Sequence, residues 1–270
     1  MEQIIFYSLI FIIGTLFGSF FTLAVYRLPL HQDITHKRSY CPNCNHKLSF
    51  WDMIPILSYI FLGGKCRYCK NKIRIRYLLL EIITGIAFLL FAMSLNLSFN
   101  TIELSKFVYL IVGMLYIAGI IIIAGIDKEK YTIQKSVILY EIIIMLIYMI
   151  YLYIVEKANI YRYVIYLFVL SILLIIENTY LRKKLKNYYP IEILELSIIM
   201  ALFSNEMIFI ITAIFTLLVV AIQNILQKLI KNNKMPNKNI DRNTKIPFGY
   251  YLGIINIITI IIINFVACRW

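Results

Sequence analysis

The chain has 270 residues, of which 61% are hydrophobic and 15% are charged. This composition excludes a disordered chain, argues against a soluble globular protein and indicates a protein that crosses a membrane several times. A formal net charge of +13 would point to nucleic acid in a soluble protein. In a membrane protein the same excess is typical of cytoplasmic loops, so the positions of the basic residues decide between the two interpretations.

Apolar segments of the length needed to cross a bilayer, roughly 20 residues for a core of about 30 Å, recur along the chain. They predict an all-α polytopic membrane protein with about eight transmembrane helices. The first segment has no basic stretch before it and no small-residue cleavage site, so we expect a mature span and not a signal peptide. The predicted spans are residues 4–26, 77–96, 106–126, 137–155, 163–180, 189–203, 207–226 and 247–267.

The loops between these spans alternate in charge. Residues 27–76, 127–136, 181–188 and 227–246 hold 23 of the 27 Lys and Arg residues. The positive-inside rule therefore predicts that these four segments are cytoplasmic and that both termini lie outside the cell membrane. The positive charge then needs no nucleic acid as a partner, and the last of the four segments is expected to be a flexible loop.

Two C-x-x-C pairs lie in the polar segment 27–76, which is predicted to be a small cytoplasmic zinc-binding insert. Cys41 and Cys44 form the first pair, and Cys66 and Cys69 form the second. Two such pairs close a tetrahedron around one structural zinc ion. Two disulfides, or unconnected redox pairs, are the alternative, which a reducing cytoplasm disfavours.

Carboxylates within apolar spans are costly and mark candidate functional residues. Peptide hydrolysis by a carboxyl pair needs one ionised acid and one protonated acid, which two close carboxyls achieve by sharing a proton. Asp127 ends the third span and Glu192 begins the sixth, so we expect the two at the same depth. The alternatives are a helix N-terminal acid for Glu192 and a transporter that uses these acids as proton relays. The membrane acids are Glu81, Asp127, Glu141, Glu177, Glu192 and Glu195.

Four segments resemble bacterial prepilin peptidases, the type IV leader peptidases, which are membrane aspartic proteases of the GxGD class. The resemblance implies an N-terminal span (1–26), the four-cysteine insert (27–76) and a peptidase-like membrane domain of seven helices (77–270). It also implies that Asp127, in GIDKEKYTI, is the first catalytic aspartate. The segments are FGSFFTLAVYRLP (17–29), CPNCNHKLSFWDMIPILSYIFLGGKCRYC (41–69), IRIRYLLLEIITG (73–85) and, more weakly, KIPFGYYLGIIN (245–256).

The second catalytic motif of that family, G-x-G-D, is absent, because the chain has no glycine between Gly125 and Gly249. An alignment on the first turn of the sixth span puts Glu192 at the position of the aspartate, with Tyr189 in place of the first glycine. A shift by one helical turn puts Glu195 there instead. The second acid is therefore expected to be Glu192, with Glu195 as the alternative.

The resemblance implies an endopeptidase that removes the short leader of type IV prepilins or pseudopilins. Such proteins serve pili, type II secretion or competence. It also implies N-methylation of the new N-terminus with S-adenosylmethionine. A second hypothesis is a catalytically impaired relative that binds pilin-like segments or assembly partners.

Overall fold

The computed structural model describes residues 1–34, 38–97, 103–177, 189–233 and 246–267. Within these ranges the regular structure is helical, and extended segments pair only at two isolated bridges in the insert, Tyr40 with Lys47 and Lys65 with Lys72. The predicted all-α class is confirmed. The helices are α1 (Glu2–Arg27), α2 (Leu57–Phe61), α3 (Arg76–Ser94), α4 (Leu104–Lys130), α5 (Lys135–Ile154), α6 (Tyr161–Ile176), α7 (Tyr189–Ser204), α8 (Glu206–Asn233) and α9 (Phe248–Ala267), with 3-10 turns at Leu28–Leu30 and Phe50–Asp52.

Six of these helices (α1, α3, α4, α5, α8 and α9) are long and apolar enough to cross a membrane. Helices α6 and α7 coincide with the fifth and sixth predicted spans, but each has 16 residues. A helix of that length rises about 24 Å, which is short for a bilayer core of about 30 Å. Residues 178–180, the predicted end of the fifth span, lie outside the described residues.

The predicted flexible loop at 227–246 begins too early, because α8 continues to Asn233. Residues 227–231 read QKLIK, and all of these residue types have good or moderate helix propensity. Charge ends a membrane span, but it does not end a helix. Residues 234–245, the predicted loop 181–188 and Cys268 lie outside the described residues.

The chain divides into two compact units, and the boundary falls within α4. The first unit comprises Met1–Ile122 and Asn264–Trp270 and contains the insert. In it α1 packs closely along α3: a Cβ added at Gly14 would lie 2.8 Å from the Cα of Gly85, and one added at Gly18 would lie 2.7 Å from the Cα of Glu81. Small residues at these positions let the two helix backbones approach each other.

The second unit is Ile123–Ile263. Within it α7 packs against α5, α6 and α8. The apolar side chains at its centre are fully buried, and they hold the last turn of α4 and the starts of α7 and α9 in one region. The core includes Ile126, Ile138, Met145, Leu196, Ile199, Leu252 and Ile260. The predicted three-part division of the chain at residues 26 and 76 stays a prediction.

Candidate active site and metal centre

The four cysteines of the insert converge on one point. Their sulfur atoms all lie within 4.8 Å of one another, and none of the four forms a disulfide. The Sγ atoms of Cys41 and Cys69 are 3.8 Å apart. Tetrahedral zinc with Zn–S bonds of about 2.3 Å requires sulfur atoms about 3.8 Å apart. The cluster therefore fits a tetrahedral metal ion held by Cys41, Cys44, Cys66 and Cys69.

Backbone groups of the first C-x-x-C pair stabilise the thiolate form of Cys41, which is the form that binds a metal ion. Burial on its own raises the pKa of the Cys41 thiol, but hydrogen bonds from the backbone amides of Cys44 and Asn43 help to lower it to about 7. The two pairs also have the same local geometry. The residue after the second cysteine of each pair, Asn45 or Lys70, has a positive φ. Its N–H donates to the carbonyl of the first cysteine of the same pair, Cys41 or Cys66.

Asp52 fastens the segment between the two cysteine pairs. It accepts hydrogen bonds from the Ser49 backbone N–H (3.1 Å) and hydroxyl (2.8 Å) and from Nε of Arg67 (2.6 Å). Burial alone raises the pKa of Asp52, but these hydrogen bonds outweigh it and keep the carboxyl below its ordinary pKa. Asp52 therefore has a structural role, because it links the 3-10 turn to the second C-x-x-C pair.

Asp127 is fully buried at the last turn of α4. Its Oδ2 accepts hydrogen bonds from the Tyr189 hydroxyl (2.9 Å) and from the backbone N–H of Tyr250 (2.8 Å). The Tyr189 hydroxyl in turn accepts the backbone N–H of Gly249 at 3.2 Å. Hydrogen bonds donated to a carboxylate stabilise its ionised form.

The other oxygen of Asp127 has different surroundings. Oδ1 has no hydrogen-bond partner among the described residues. A Cβ added at Gly249 would lie 3.1 Å from Oδ2, so a larger residue at the start of α9 would crowd this carboxyl. The arrangement fixes one oxygen of Asp127 and leaves the other without a protein donor.

Glu192 lies in the first turn of α7 and is half-buried. Its Oε2 accepts the backbone N–H of Ile133 at 3.0 Å, in the connection between α4 and α5. Tyr189, whose hydroxyl donates to Asp127, lies in the same turn of α7 as Glu192, so the two predicted acids lie in the same region of the second unit. Whether they act as a catalytic pair stays a prediction.

Glu195 lies one turn further along α7 and is fully buried. Its carboxyl lies next to the carboxyl of Glu177, and no other described group donates a hydrogen bond to it. It interacts electrostatically with Glu177, Lys135 and Glu192. Glu177 is itself buried and forms an ion pair with Lys135.

The remaining membrane acids have separate environments. Glu81, in the first unit, accepts the backbone N–H of Ile56 at 2.7 Å. Glu141 is fully buried on α5, and neither of its oxygens has a hydrogen-bond partner among the described residues.

The sequence did not indicate three groups that define the site. Tyr189, which the alignment puts in place of the first glycine, holds Asp127 through its hydroxyl. The amides of Ile133 and Tyr250 donate to the two acids, and backbone donors of this kind have no sequence signature. The similarity of KIPFGYYLGIIN to the segment that opens the family's last span was the one signal available for Tyr250.

Comparisons with known proteins agree with the sequence motifs. Residues 12–95 match the family described as the Bacterial Peptidase A24 N-terminal domain. A prepilin leader peptidase/N-methyltransferase of Myxococcus xanthus is 42% identical over 79 residues, which are 29% of this chain and 24% of that protein. The protein of the same name in Bacillus subtilis is 32% identical over 133 residues, which are 49% of this chain and 50% of that protein.

A third relative, the prepilin leader peptidase/N-methyltransferase of Vibrio cholerae, is 40% identical over 79 residues, 26% of this chain and 31% of that protein. The chain thus spans about half or less of the length of these curated relatives. No solved structure matches the chain. The resemblance to bacterial prepilin peptidases is therefore confirmed, and residues 12–95 carry the family match.

Proposed function

We propose that this chain is a membrane aspartic endopeptidase that removes the short leader of type IV prepilins or pseudopilins. The observation that carries the proposal is the hydrogen bond from Tyr189 to Asp127, because Tyr189 shares the first turn of α7 with Glu192 and so connects the two proposed acids. Oδ2 of Asp127 is saturated by two donors, and Oδ1 has none among the described residues. The match of residues 12–95 supplies the substrate class, since the relatives with that segment are named as prepilin leader peptidases.

In the proposed mechanism Asp127 is the ionised acid, because the Tyr189 hydroxyl and the Tyr250 amide stabilise its negative charge. Its Oδ1 takes a proton from water, and the water oxygen bonds to the scissile carbonyl carbon. Glu192 is the protonated acid and gives its proton to the carbonyl oxygen. When the tetrahedral intermediate collapses, one of its hydroxyls returns a proton to Glu192 as the C=O bond forms again. The C–N bond breaks, and the amine leaves with the proton held by Asp127.

Glu192 is a better second acid than Glu195 for two reasons. It interacts electrostatically with Asp127, and it is half-buried at the start of α7, where substrate and water have access. Glu195 is fully buried beside the Glu177–Lys135 ion pair.

The four-cysteine cluster is proposed to hold zinc in a structural role. Four thiolates occupy all positions of a tetrahedral ion and leave none for water. A zinc ion there would hold the two C-x-x-C pairs together and take no part in peptide cleavage. N-methylation of the new N-terminus, with S-adenosylmethionine as methyl donor, is part of the proposal because the matched relatives are named as peptidase/N-methyltransferases.

The proposed topology follows the distribution of basic residues. The segments 27–76, 127–136, 181–188 and 227–246 are cytoplasmic, and both termini are outside. Asp127 and Glu192 then lie at the cytoplasmic edge of the membrane. A bond just before the hydrophobic segment of a prepilin lies at the same level.

Leader removal by the purified protein tests the proposal. The full chain in detergent is mixed with a prepilin, and the mass of the prepilin is followed by mass spectrometry, with labelled S-adenosylmethionine added in a parallel reaction. We expect loss of the leader with the wild type and none with Asp127→Asn. A folded, metal-loaded wild type that leaves the prepilin intact would contradict the peptidase and favour a relative that only binds pilin-like segments.

A further inference from the structure

The insert carries a group of exposed apolar side chains that belong to neither the metal centre nor the acid pair. They lie on the 3-10 turn Phe50–Asp52 and on α2, which pack against each other. Side chains this large and this exposed mark a surface that meets another apolar partner. The exposed fractions are 73% for Phe50, 69% for Trp51, 50% for Leu57, 61% for Ile60 and 83% for Phe61, and we call these five residues the apolar face of the insert.

A hydrogen bond fixes the depth of this face relative to a membrane span. The backbone N–H of Ile56, the residue just before α2, donates to Oε2 of Glu81 at 2.7 Å. Glu81 is the sixth residue of α3, which at 1.5 Å per residue puts it about 7 Å inside that helix. On the same turns of α3, Leu79 and Ile83 are 47% and 51% exposed, as expected of side chains that face lipid. The start of α2 therefore lies at the level of the membrane edge.

The backbone at Ile56 supports a fixed attachment. Its φ of 61° lies in the left-handed region, which is strongly unfavourable for a β-branched residue. The structure maintains this conformation while Ile56 donates to the buried carboxyl of Glu81. A second tie comes from the backbone N–H of Ile73, which donates to the carbonyl of Gly64 at 2.7 Å and joins the end of the α2 segment to the residues that lead into α3.

We propose that the apolar face of the insert lies in the interfacial layer of the bilayer. Tryptophan and other aromatic side chains favour this layer, where an apolar body and a polar edge are both accommodated. Exposed basic residues lie nearby in the chain at Lys65, Lys72 and Arg74, and these suit the anionic headgroups of a cytoplasmic leaflet. Lipid is favoured over a protein partner because α2 is already held beside a span whose neighbouring side chains are apolar and exposed.

The fluorescence of Trp51 tests the proposal without any substrate or catalytic activity. The chain has two tryptophans, Trp51 and Trp270, so Trp270→Phe leaves Trp51 as the sole probe. The full-length variant is reconstituted into phosphatidylcholine–phosphatidylglycerol vesicles with or without bromine on the upper acyl chain. We expect brominated lipid to reduce Trp51 emission and aqueous iodide to have little effect.

A second probe and a reference position make the result decisive. Phe61→Trp in a Trp51→Phe, Trp270→Phe background samples the same face, and Asn43→Trp in that background samples the exposed turn between two cysteines. Brominated lipid should quench the Phe61→Trp variant, and iodide should quench the Asn43→Trp variant. Quenching of Trp51 and of the Phe61→Trp variant by iodide, with no effect of brominated lipid, would overturn the proposal. A change in emission on addition of a prepilin would not alter that conclusion. Equal lipid quenching at all three positions would also overturn it, because the apolar face would then not be the contact.

Discussion

The hydroxyl of Tyr189 has two hydrogen-bond partners that together determine the orientation of Asp127. It donates to Oδ2 of Asp127 at 2.9 Å and accepts the Gly249 N–H at 3.2 Å. The amide thus orients the hydroxyl so that its hydrogen points to the carboxylate. In the alignment that puts Glu192 at the second aspartate, this position is a glycine in the family, which has no hydroxyl to donate. The replacement adds a donor in this chain that the G-x-G-D motif does not contain.

Replacement of Tyr189 by Phe removes this donor and keeps the aromatic ring. A hydrogen bond to a charged group is worth about 1.5–3 kcal/mol, so we expect kcat to fall about ten- to a hundredfold with little change in KM. Steady-state cleavage of a prepilin measures both constants. The matched control is Tyr166→Phe, which removes a hydroxyl bonded to the carboxyl of Glu206 at 3.2 Å. Equal losses in the two variants, or a change confined to KM, would show that Tyr189 does not act through Asp127.

The sequence predicted the two acids but not their surroundings. Asp127 and Glu192 followed from charge placed at the ends of apolar segments, which is a one-dimensional signal. The donors that hold them are the hydroxyl of Tyr189 and the amides of Ile133 and Tyr250. A backbone amide is present at every non-proline residue, so only three-dimensional structure indicates which amide faces a carboxyl.

The packing of α1 on α3 depends on glycine at the contact. A Cβ added at Gly18 would lie 2.7 Å from the Cα of Glu81, and backbone atoms cannot move aside as a flexible side chain does. We expect Gly18→Val to lower the free energy of unfolding by about 1–3 kcal/mol, the usual cost of overpacking. Chemical unfolding in detergent, followed by circular dichroism, measures the loss. Ile13→Val changes an exposed residue of the same helix and should have little effect; an equal effect of both variants would contradict the close contact.

The four-cysteine insert is expected to depend on its bound metal ion. Because four thiolates complete a tetrahedral site, Cys41→Ser and Cys66→Ser should each reduce bound zinc well below one ion per chain. Metal analysis of the purified protein by mass spectrometry gives the zinc content. Replacement of His46, which stacks on Tyr68 and is not one of the four clustered residues, by Asn serves as the control. A zinc content that does not fall in either cysteine variant would contradict the proposed metal site.

Helix ends mark the limit of the sequence prediction at this scale. Apolar runs predicted the positions of eight described helices to within a few residues at most ends, and six of these are long and apolar enough to cross a bilayer. They failed at the end of α8, which continues through polar residues to Asn233. The predicted sixth span, 189–203, is already short for a full crossing, and α7 has almost the same bounds.

For the whole molecule, the charge distribution predicts that both termini are outside and that the insert is cytoplasmic. Cys268 then lies outside, and the four clustered cysteines lie inside. In intact cells, a membrane-impermeant maleimide should label the wild type, and Cys268→Ser should remove the labelling. Labelling that persists in Cys268→Ser, or that appears only after the cells are permeabilised, would contradict the proposed orientation.

The central claim is that Asp127 and Glu192 form the acid pair that cleaves the substrate. The most direct measurement is the rate of prepilin leader removal by the purified full-length chain and by Asp127→Asn, Glu192→Gln and Glu195→Gln. Because general acid–base groups contribute about 10²–10⁴-fold, the first two variants should lose at least about a hundredfold in kcat, and Glu195→Gln should lose much less. Full activity in Glu192→Gln together with the loss of activity in Glu195→Gln would contradict the assignment, and activity that survives Asp127→Asn would contradict the acid pair itself.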